Sequence, residues 1–149
     1  MLGFLGPNLI DVVYSLIERY WEPRKEYSRE EEYRDDLLEF LRINLNRSNW
    51  LGASQYHSIQ KESGRHLADI GIDRKVGIEL KRNLKTKAEA DRLVGQVKGY
   101  LREYYEGVII VLCGSVDGDK LNYLTDLLME YLRPSVSRKV VRIILKAKS

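Results

Sequence analysis

Two carboxylates and a lysine stand close together in a short segment whose residues alternate between apolar and polar. Asp69 lies in the first half of this segment, and Glu79 and Lys81 lie in the second half, one residue apart. Paired carboxylates can hold a divalent cation, and an ammonium group beside them can act on a water molecule or a phosphate. The segment 68–81 is therefore the clearest candidate for chemistry in the chain.

The alternation within this segment predicts a β-hairpin and its register. The apolar residues all have even numbers, so they share one face of the hairpin, and the charged residues share the other. A three-residue turn at 73–75 keeps both faces intact, whereas a two-residue turn would pair odd positions with even ones. The same register places Asp69 opposite Glu79, with Cβ atoms about 4.5–5.5 Å apart. The predicted apolar face comprises Ala68, Ile70, Ile72, Val76, Ile78 and Leu80.

Two facing carboxylates repel each other unless a positive charge lies between them. Lys81 would supply part of that compensation, and a divalent cation would supply more. The alternative is a charged strand face in contact with solvent, in a chain of which 32% of the residues are charged. Gly71 and Gly77, on the predicted polar face, favour a binding site over that alternative, because they leave room for a ligand to approach the backbone.

Asp69, followed on the next strand by Glu79-Leu80-Lys81, resembles the PD-(D/E)xK signature of the restriction-endonuclease-like nucleases, although no proline precedes the aspartate. The resemblance extends over residues 28–114, where the expected elements follow the family's order of helix, three antiparallel strands, helix and strand. It implies an α/β fold with a central mixed sheet flanked by helices. It also implies that Asp69, Glu79 and the backbone carbonyl of Leu80 bind Mg²⁺, for which Mn²⁺ substitutes, to hydrolyse phosphodiester bonds in DNA.

The resemblance assigns roles to further residues. Lys81 would orient the attacking water and stabilise the charge that develops on phosphorus. Gln96 and Tyr100, one helical turn apart, are similar to a Gln-x-x-x-Tyr motif of the RecB-type exonuclease branch, although Tyr100 also fits the apolar stripe of its helix. The size of the chain equally suits a Holliday junction resolvase. Members of the family often carry another acid on the first helix; Glu30 is the candidate here, and a solvated residue near a helix N-terminus is the alternative.

Helix starts on either side of the motif can be read from capping residues. Ser28 and Glu31 form an expected capping box that opens one helix, and Thr86 and Glu89 form a second one, which opens a helix to about residue 105. Each box is followed by apolar residues at helical spacing. These two helices would lie before and after the hairpin.

The remaining elements follow from apolar runs. Residues 54–62 are a weaker strand candidate, and the continuous apolar run at 108–113 is typical of a buried central strand. A helix is expected over 119–133, stopped by Pro134, and a last strand over 140–146 has the alternation of an edge strand.

An amphipathic helix is expected over residues 7–20. It would complete the core or mediate a homodimer through an interface centred on Leu9, Val13 and Leu16. Asp11 and Glu18 oppose binding to anionic lipid, and Asp11 also interrupts the apolar run, so neither a membrane-surface helix nor a signal peptide is expected. The apolar stripe comprises Leu9, Val12, Val13, Leu16, Ile17 and Tyr20.

A chain of 149 residues predicts a single domain. We expect a helical extension at 1–27, the core at 28–114 and a helix and strand at 115–149. One cysteine and two histidines offer no zinc spacing, and no apolar run is long enough to span a membrane. These features favour a cytoplasmic protein.

The net charge of +3, from 25 basic and 22 acidic residues, does not by itself require nucleic acid. The basic residues nevertheless cluster after the hairpin, where Arg82, Lys85 and Lys87 would steer a phosphate backbone toward the carboxylates. The resemblance implies that Gln96 and Tyr100, on the following helix, help to orient the metal site or the nucleic acid. The alternative for these lysines is a solvated loop. The rival function is a non-catalytic nucleic-acid-binding or complex-forming protein that retains the nuclease fold.

Overall fold

The computed structural model describes residues 8–46, 56–133 and 139–147. Along these residues the helices and strands follow the expected order. The elements are, in chain order, α1 (Leu9–Tyr20), α2 (Glu30–Leu45), β1 (Ile59–Ser63), β2 (Ala68–Ile72), β3 (Val76–Leu84), α3 (Lys87–Tyr100), β4 (Gly107–Val116), α4 (Gly118–Leu127), α5 (Met129–Leu132) and β5 (Val140–Ala147).

The described strands form a five-stranded mixed sheet in the order β1-β2-β3-β4-β5. β1, β2 and β3 are antiparallel neighbours, whereas β4 is parallel to β3 and β5 is parallel to β4. Parallel neighbours need crossover connections. The crossovers from β3 to β4 and from β4 to β5 step in the same direction along the sheet, so right-handed connections place both of their helices on the same face. α3 and α4 cover that face and α1 and α2 cover the other, so the chain belongs to the α/β class. β5 lies at an edge of the sheet, as predicted.

β4 supplies side chains to two hydrophobic layers, one on each face of the sheet. The odd-numbered residues of 109–113 pack with α1 and α2, and the even-numbered residues of 108–112 pack with α3 and α4. All of them are fully buried. A strand covered on both faces requires a continuous apolar sequence, and the predicted buried strand is therefore confirmed.

The β2–β3 hairpin has the predicted register and turn. Ile72 pairs with Val76 across the three-residue turn. Asp73, within the turn, accepts a hydrogen bond from the backbone N–H of Ser58 at 2.7 Å. This contact ties the turn to the residues that lead into β1.

Both faces of this hairpin are covered, which differs from the predicted half-buried pair. The apolar face packs against α1 and α2, except that Ala68 packs in the layer formed by α3 and α4. Gly71 and Gly77, on the expected polar face, are also buried. A Cβ added at Gly77 would lie 2.7 Å from the ring of Tyr104, because the chain that leaves α3 passes directly over this position. The candidate site therefore lies beneath α3 and not on an open strand face.

The two predicted capping boxes have different outcomes. At the start of α3 the Glu89 N–H donates to Thr86 Oγ1 at 3.1 Å, and the Thr86 N–H donates to Glu89 Oε1 at 3.0 Å, which confirms that box. The box of Ser28 and Glu31 is wrong, because α2 begins at Glu30 without a side-chain cap. The Ser28 hydroxyl donates to Glu32 Oε1 at 3.4 Å instead of capping the helix, and α2 starts one residue later than predicted.

Three other predicted boundaries shift. α3 ends at Tyr100 and not near residue 105, because Tyr105 and Glu106 donate backbone hydrogen bonds to the β2–β3 turn and redirect the chain toward β4. The helix expected over 119–133 is divided at Leu128 into α4 and α5. The strand expected over 54–62 begins only at residue 59 in the described part. Residues 54 and 55 and the predicted stop at Pro134 lie outside the described residues.

α1 completes the core on the face that it shares with α2. Its buried residues are Ile10, Val13 and Ile17, whereas Val12 and Tyr20 of the predicted stripe are exposed. Val13, in the predicted dimer interface, packs inside its own chain. Leu9 and Leu16 are only partly buried against the same core, and homodimerisation stays a prediction.

Candidate active site

The site forms where β3 extends beyond its pairing with β2. The backbone N–H of Leu80 donates to Asp69 Oδ2 at 2.8 Å, and the backbone N–H of Arg82 donates to Glu30 Oε2 at 2.9 Å. Buried backbone N–H groups need an acceptor, and here two carboxylates take the place of a strand partner. This arrangement brings Asp69 of β2 and Glu30 of α2 to the same edge of β3.

Asp69 and Glu79 are neighbours on the face of the sheet that α3 covers. The hairpin register pairs Ile70 with Ile78, and its continuation by one residue sets Asp69 opposite Glu79, as predicted. The two side chains are close enough for the charge of Asp69 to raise the pKa of Glu79. Glu79 is only 7% exposed, and its Oε1 accepts a hydrogen bond from the Tyr100 hydroxyl at 2.8 Å.

Burial governs the protonation of this carboxylate pair. Burial raises the pKa of Asp69 to about 6, although the hydrogen bond from the Leu80 N–H opposes the rise. Burial, followed by the negative charge of Asp69, raises the pKa of Glu79 to about 8. Burial and the charge of Glu79 also raise the pKa of Tyr100, so its hydroxyl stays a neutral donor. Without a cation, the pair therefore retains a proton near neutral pH.

Lys81 does not neutralise the pair, contrary to the sequence-based expectation. Its Nζ lies 3.2 Å from Glu89 Oε2 and 3.7 Å from Glu30 Oε2. Among the described residues, no lysine or arginine forms an ion pair with either Asp69 or Glu79. The compensation inside the pair is the retained proton, which a cation could replace.

Arg34 and Glu89 belong to the site, although the sequence did not single them out for it. Arg34 lies one helical turn after Glu30 on α2, is largely buried, and lowers the pKa of Asp69 by its charge. Its spacing of four residues from Glu30 was a readable signal, because residues i and i+4 share a helix face. The sequence identified Glu89 only as a capping residue and gave no sign of its contact with Lys81.

The carbonyl of Leu80 is directed to the side of β3 on which Asp69 lies. In an extended strand, the N–H and C=O of one residue point to the same side of the strand. The Leu80 N–H points at Asp69, so its carbonyl is directed to the same side, beyond the last paired residues of the β2–β3 ladder. This direction agrees with its predicted part in binding a metal.

The residues present fit a small, hard cation. The described residues contain no group of three or more His, Cys, Asp or Glu side chains arranged to hold a metal ion. Mg²⁺ does not need one, because it commonly uses one or two carboxylates and keeps several waters or substrate oxygens as its other ligands. The buried pair of Asp69 and Glu79, with the Leu80 carbonyl, supplies oxygen ligands of that kind.

A separate groove, which none of the site residues lines, includes Gly71 in its wall. Gly71, two residues beyond Asp69 on β2, lines it together with Gln60, Arg74 and Tyr104, and its volume is about 510 Å³. The predicted approach to the backbone therefore exists at Gly71, whereas Tyr104 closes it at Gly77.

The remaining candidate residues lie at different depths. Gln96, on α3, is exposed, whereas Tyr100 is buried against Glu79 and does not face solvent. Arg82 Nε donates to the carbonyl of Tyr27 at 2.9 Å. Lys85 and Lys87 are both exposed, near the start of α3. Lys87 Nζ lies 3.4 Å from Asp91 and 5.4 Å from the centre of the Tyr123 ring.

No family model, no curated protein and no solved structure matches this chain. None of the described helices combines the length and apolar character needed to cross a membrane. The fold and the site together define an α/β protein with a buried pair of carboxylates at the junction of β2, β3 and α3.

Proposed function

We propose that this protein is a metal-dependent nuclease that hydrolyses phosphodiester bonds in DNA, on a restriction-endonuclease-like fold. One observation carries the proposal. Asp69 and Glu79 are buried side by side with raised pKa values, and no lysine or arginine among the described residues forms an ion pair with either of them. With Lys81, they form the Asp…Glu-x-Lys pattern that resembles the signature of that family. Burying two adjacent carboxylates costs stability, and a divalent cation offsets that cost.

The positions of the residues support a role for each of them. Asp69, Glu79 and the carbonyl of Leu80 would hold Mg²⁺, or Mn²⁺ in its place. A bound divalent cation acidifies a water molecule and withdraws charge from a phosphate. Tyr100 would keep Glu79 oriented through its hydroxyl. Lys81 would orient the attacking water and stabilise the charge that develops on the phosphate.

Nucleic acid would reach the site from the side of the exposed lysines. Lys85 and Lys87 lie at the start of α3, near Lys81, and would contact the phosphate backbone. Arg82 would contribute charge from a fixed position, because its guanidinium is bound to the carbonyl of Tyr27. Gln96 would act from the exposed side of α3.

A second candidate is a non-catalytic nucleic-acid-binding or complex-forming protein with the same fold. One observation favours it: each charged residue of the site already has a structural contact. Asp69 and Glu30 accept backbone N–H groups of β3, and Lys81 is paired with Glu89 and Glu30.

Cleavage assays separate the two candidates. Labelled single-stranded, duplex and four-way-junction DNA would be incubated with the protein in Mg²⁺, Mn²⁺ or EDTA, with Lys81→Ala and Asp69→Asn alongside. The nuclease proposal expects cleavage that requires the metal and is lost in both variants. Binding without cleavage would support the non-catalytic candidate.

A further inference from the structure

Glu89 uses its two carboxylate oxygens for two different tasks. Oε1 accepts hydrogen bonds from the backbone N–H groups of Lys85 and Thr86, both at 3.0 Å, and so fixes the start of α3. Oε2 accepts a hydrogen bond from Lys81 Nζ at 3.2 Å. One side chain thus connects the first turn of α3 to the lysine of the Glu-x-Lys motif on β3.

Lys81 needs such a contact to be held in one place. Its ammonium is carried on a flexible four-carbon stem, and fixing that stem costs conformational entropy. Glu30 lies farther away, at 3.7 Å, and is 43% exposed, whereas Glu89 lies at 3.2 Å and is 29% exposed. The hydrogen bonds that fix Oε1 to the backbone also fix the position of Oε2. Glu30 is held by one backbone hydrogen bond, from the Arg82 N–H, and Glu89 is held by two, so Glu89 is the more firmly held of the two partners.

We propose that Glu89 is a positioning residue that holds the Lys81 ammonium at the active site and acts on the reaction only through that lysine. The inference rests on the proposed nuclease function. Glu89 does not touch the Asp69–Glu79 pair in the structure, so its loss should leave the metal ligands in place and misplace the lysine.

Three variants separate positioning from capping and from charge. Glu89→Gln keeps an acceptor for the capping box, in which glutamine is also suitable, but removes the charge that holds Lys81. Asp91→Asn removes one negative charge from the same helix and serves as the matched control for charge. Thr86→Ala removes the other half of the capping box and leaves the contact between Glu89 and Lys81, so it controls for stability.

The test compares kcat and KM for DNA cleavage in Mg²⁺, well below the unfolding temperature of every variant. Glu89→Gln should lower kcat by about 10- to 100-fold, the scale of a small misplacement of a catalytic group, with little change in KM. Asp91→Asn and Thr86→Ala should keep kcat within about 2-fold of the wild type.

A second measurement reads the position of Lys81 without cleavage. In NMR spectra of ¹³C-lysine-labelled protein, the ε-methylene signal of Lys81 is identified by its absence in Lys81→Ala. This signal should report greater mobility of the Lys81 side chain in Glu89→Gln and unchanged mobility in Asp91→Asn. If the wild type cleaves DNA and Lys81→Ala does not, equal kcat values for Glu89→Gln and Asp91→Asn would overturn the inference about Glu89. The proposed nuclease function would not be affected by that result. Unchanged mobility of Lys81 in Glu89→Gln would also overturn it. No cleavage by the wild type would overturn the nuclease function and, with it, the catalytic part of the inference.

Discussion

Replacement of Glu79 by glutamine should stabilise the metal-free protein at neutral pH while it destroys the proposed metal site. Glutamine has nearly the same shape as glutamic acid and still accepts the hydrogen bond from Tyr100. Its amide also places a hydrogen-bond donor beside Asp69, as a protonated carboxyl of Glu79 would. What it removes is the cost of ionising a carboxyl group that is 7% exposed.

The magnitude follows from the pKa of Glu79, which burial raises from 4.5 to about 8. Between these two values the folded state holds a proton that the unfolded state has released, so the stability of the wild type falls as pH rises. The slope is about 1.4 kcal/mol per pH unit, which gives a loss of about 2–3 kcal/mol between pH 5 and pH 7. Stability is highest below the unfolded-state pKa and lowest above the folded-state pKa.

Urea unfolding in EDTA at pH 5, 6, 7 and 8 measures this difference. We expect Glu79→Gln to lose about 2–3 kcal/mol less than the wild type between pH 5 and pH 7, with an unchanged m-value. Glu18→Gln, which alters an exposed carboxylate on α1, is the matched control and should follow the wild type. If the curves for Glu79→Gln and the wild type ran parallel, Glu79 would ionise normally and the argument from burial would be refuted.

Three further predictions concern the same face of the sheet. The affinity for Mg²⁺, measured by calorimetry, should rise between pH 6 and pH 8, because the metal must displace the proton that the buried carboxylates retain; an affinity independent of pH would mean that the metal binds elsewhere. Tyr100→Phe should cost about 1–3 kcal/mol of unfolding free energy, and more at pH 8 than at pH 5, since it removes a hydrogen bond to the ionised Glu79; an equal loss at both values would contradict this. Gly77→Ala should cost about 1–3 kcal/mol of unfolding free energy because the added methyl group clashes with Tyr104. Gly95→Ala, whose methyl group meets open space on α3, should instead stabilise the protein by up to about 1 kcal/mol. Equal thermal shifts for the two variants would mean that Tyr104 does not cover Gly77.

The local features of the site could be predicted from the sequence, because they depend on near neighbours. Strict alternation on both sides of a three-residue turn fixes the register of the hairpin, and the register sets Asp69 opposite Glu79. The box of Thr86 and Glu89 was equally readable, because both of its hydrogen bonds lie within four residues. The uninterrupted apolar run of β4 indicated a strand covered on both faces.

The contacts of Lys81 could not be predicted, because they depend on where two distant helices begin. α2 brings Glu30 and α3 brings Glu89 to the same lysine, from 51 and 8 residues away in the sequence. Alternation places Lys81 on the same face as Glu79 but does not indicate which carboxylate lies nearer in space. The burial of Glu79 has the same origin, since Tyr100 comes over it only when α3 folds back onto the sheet.

The measurement that tests the central claim most directly is DNA cleavage by the wild type and Glu79→Gln in Mg²⁺, with EDTA as the blank. Because Glu79→Gln should be at least as stable as the wild type at pH 7.5, a loss of activity could not be attributed to unfolding. We expect cleavage by the wild type, none in EDTA and none by Glu79→Gln. Cleavage by Glu79→Gln at the rate of the wild type would contradict the assignment of the buried carboxylate pair as the metal site of a nuclease.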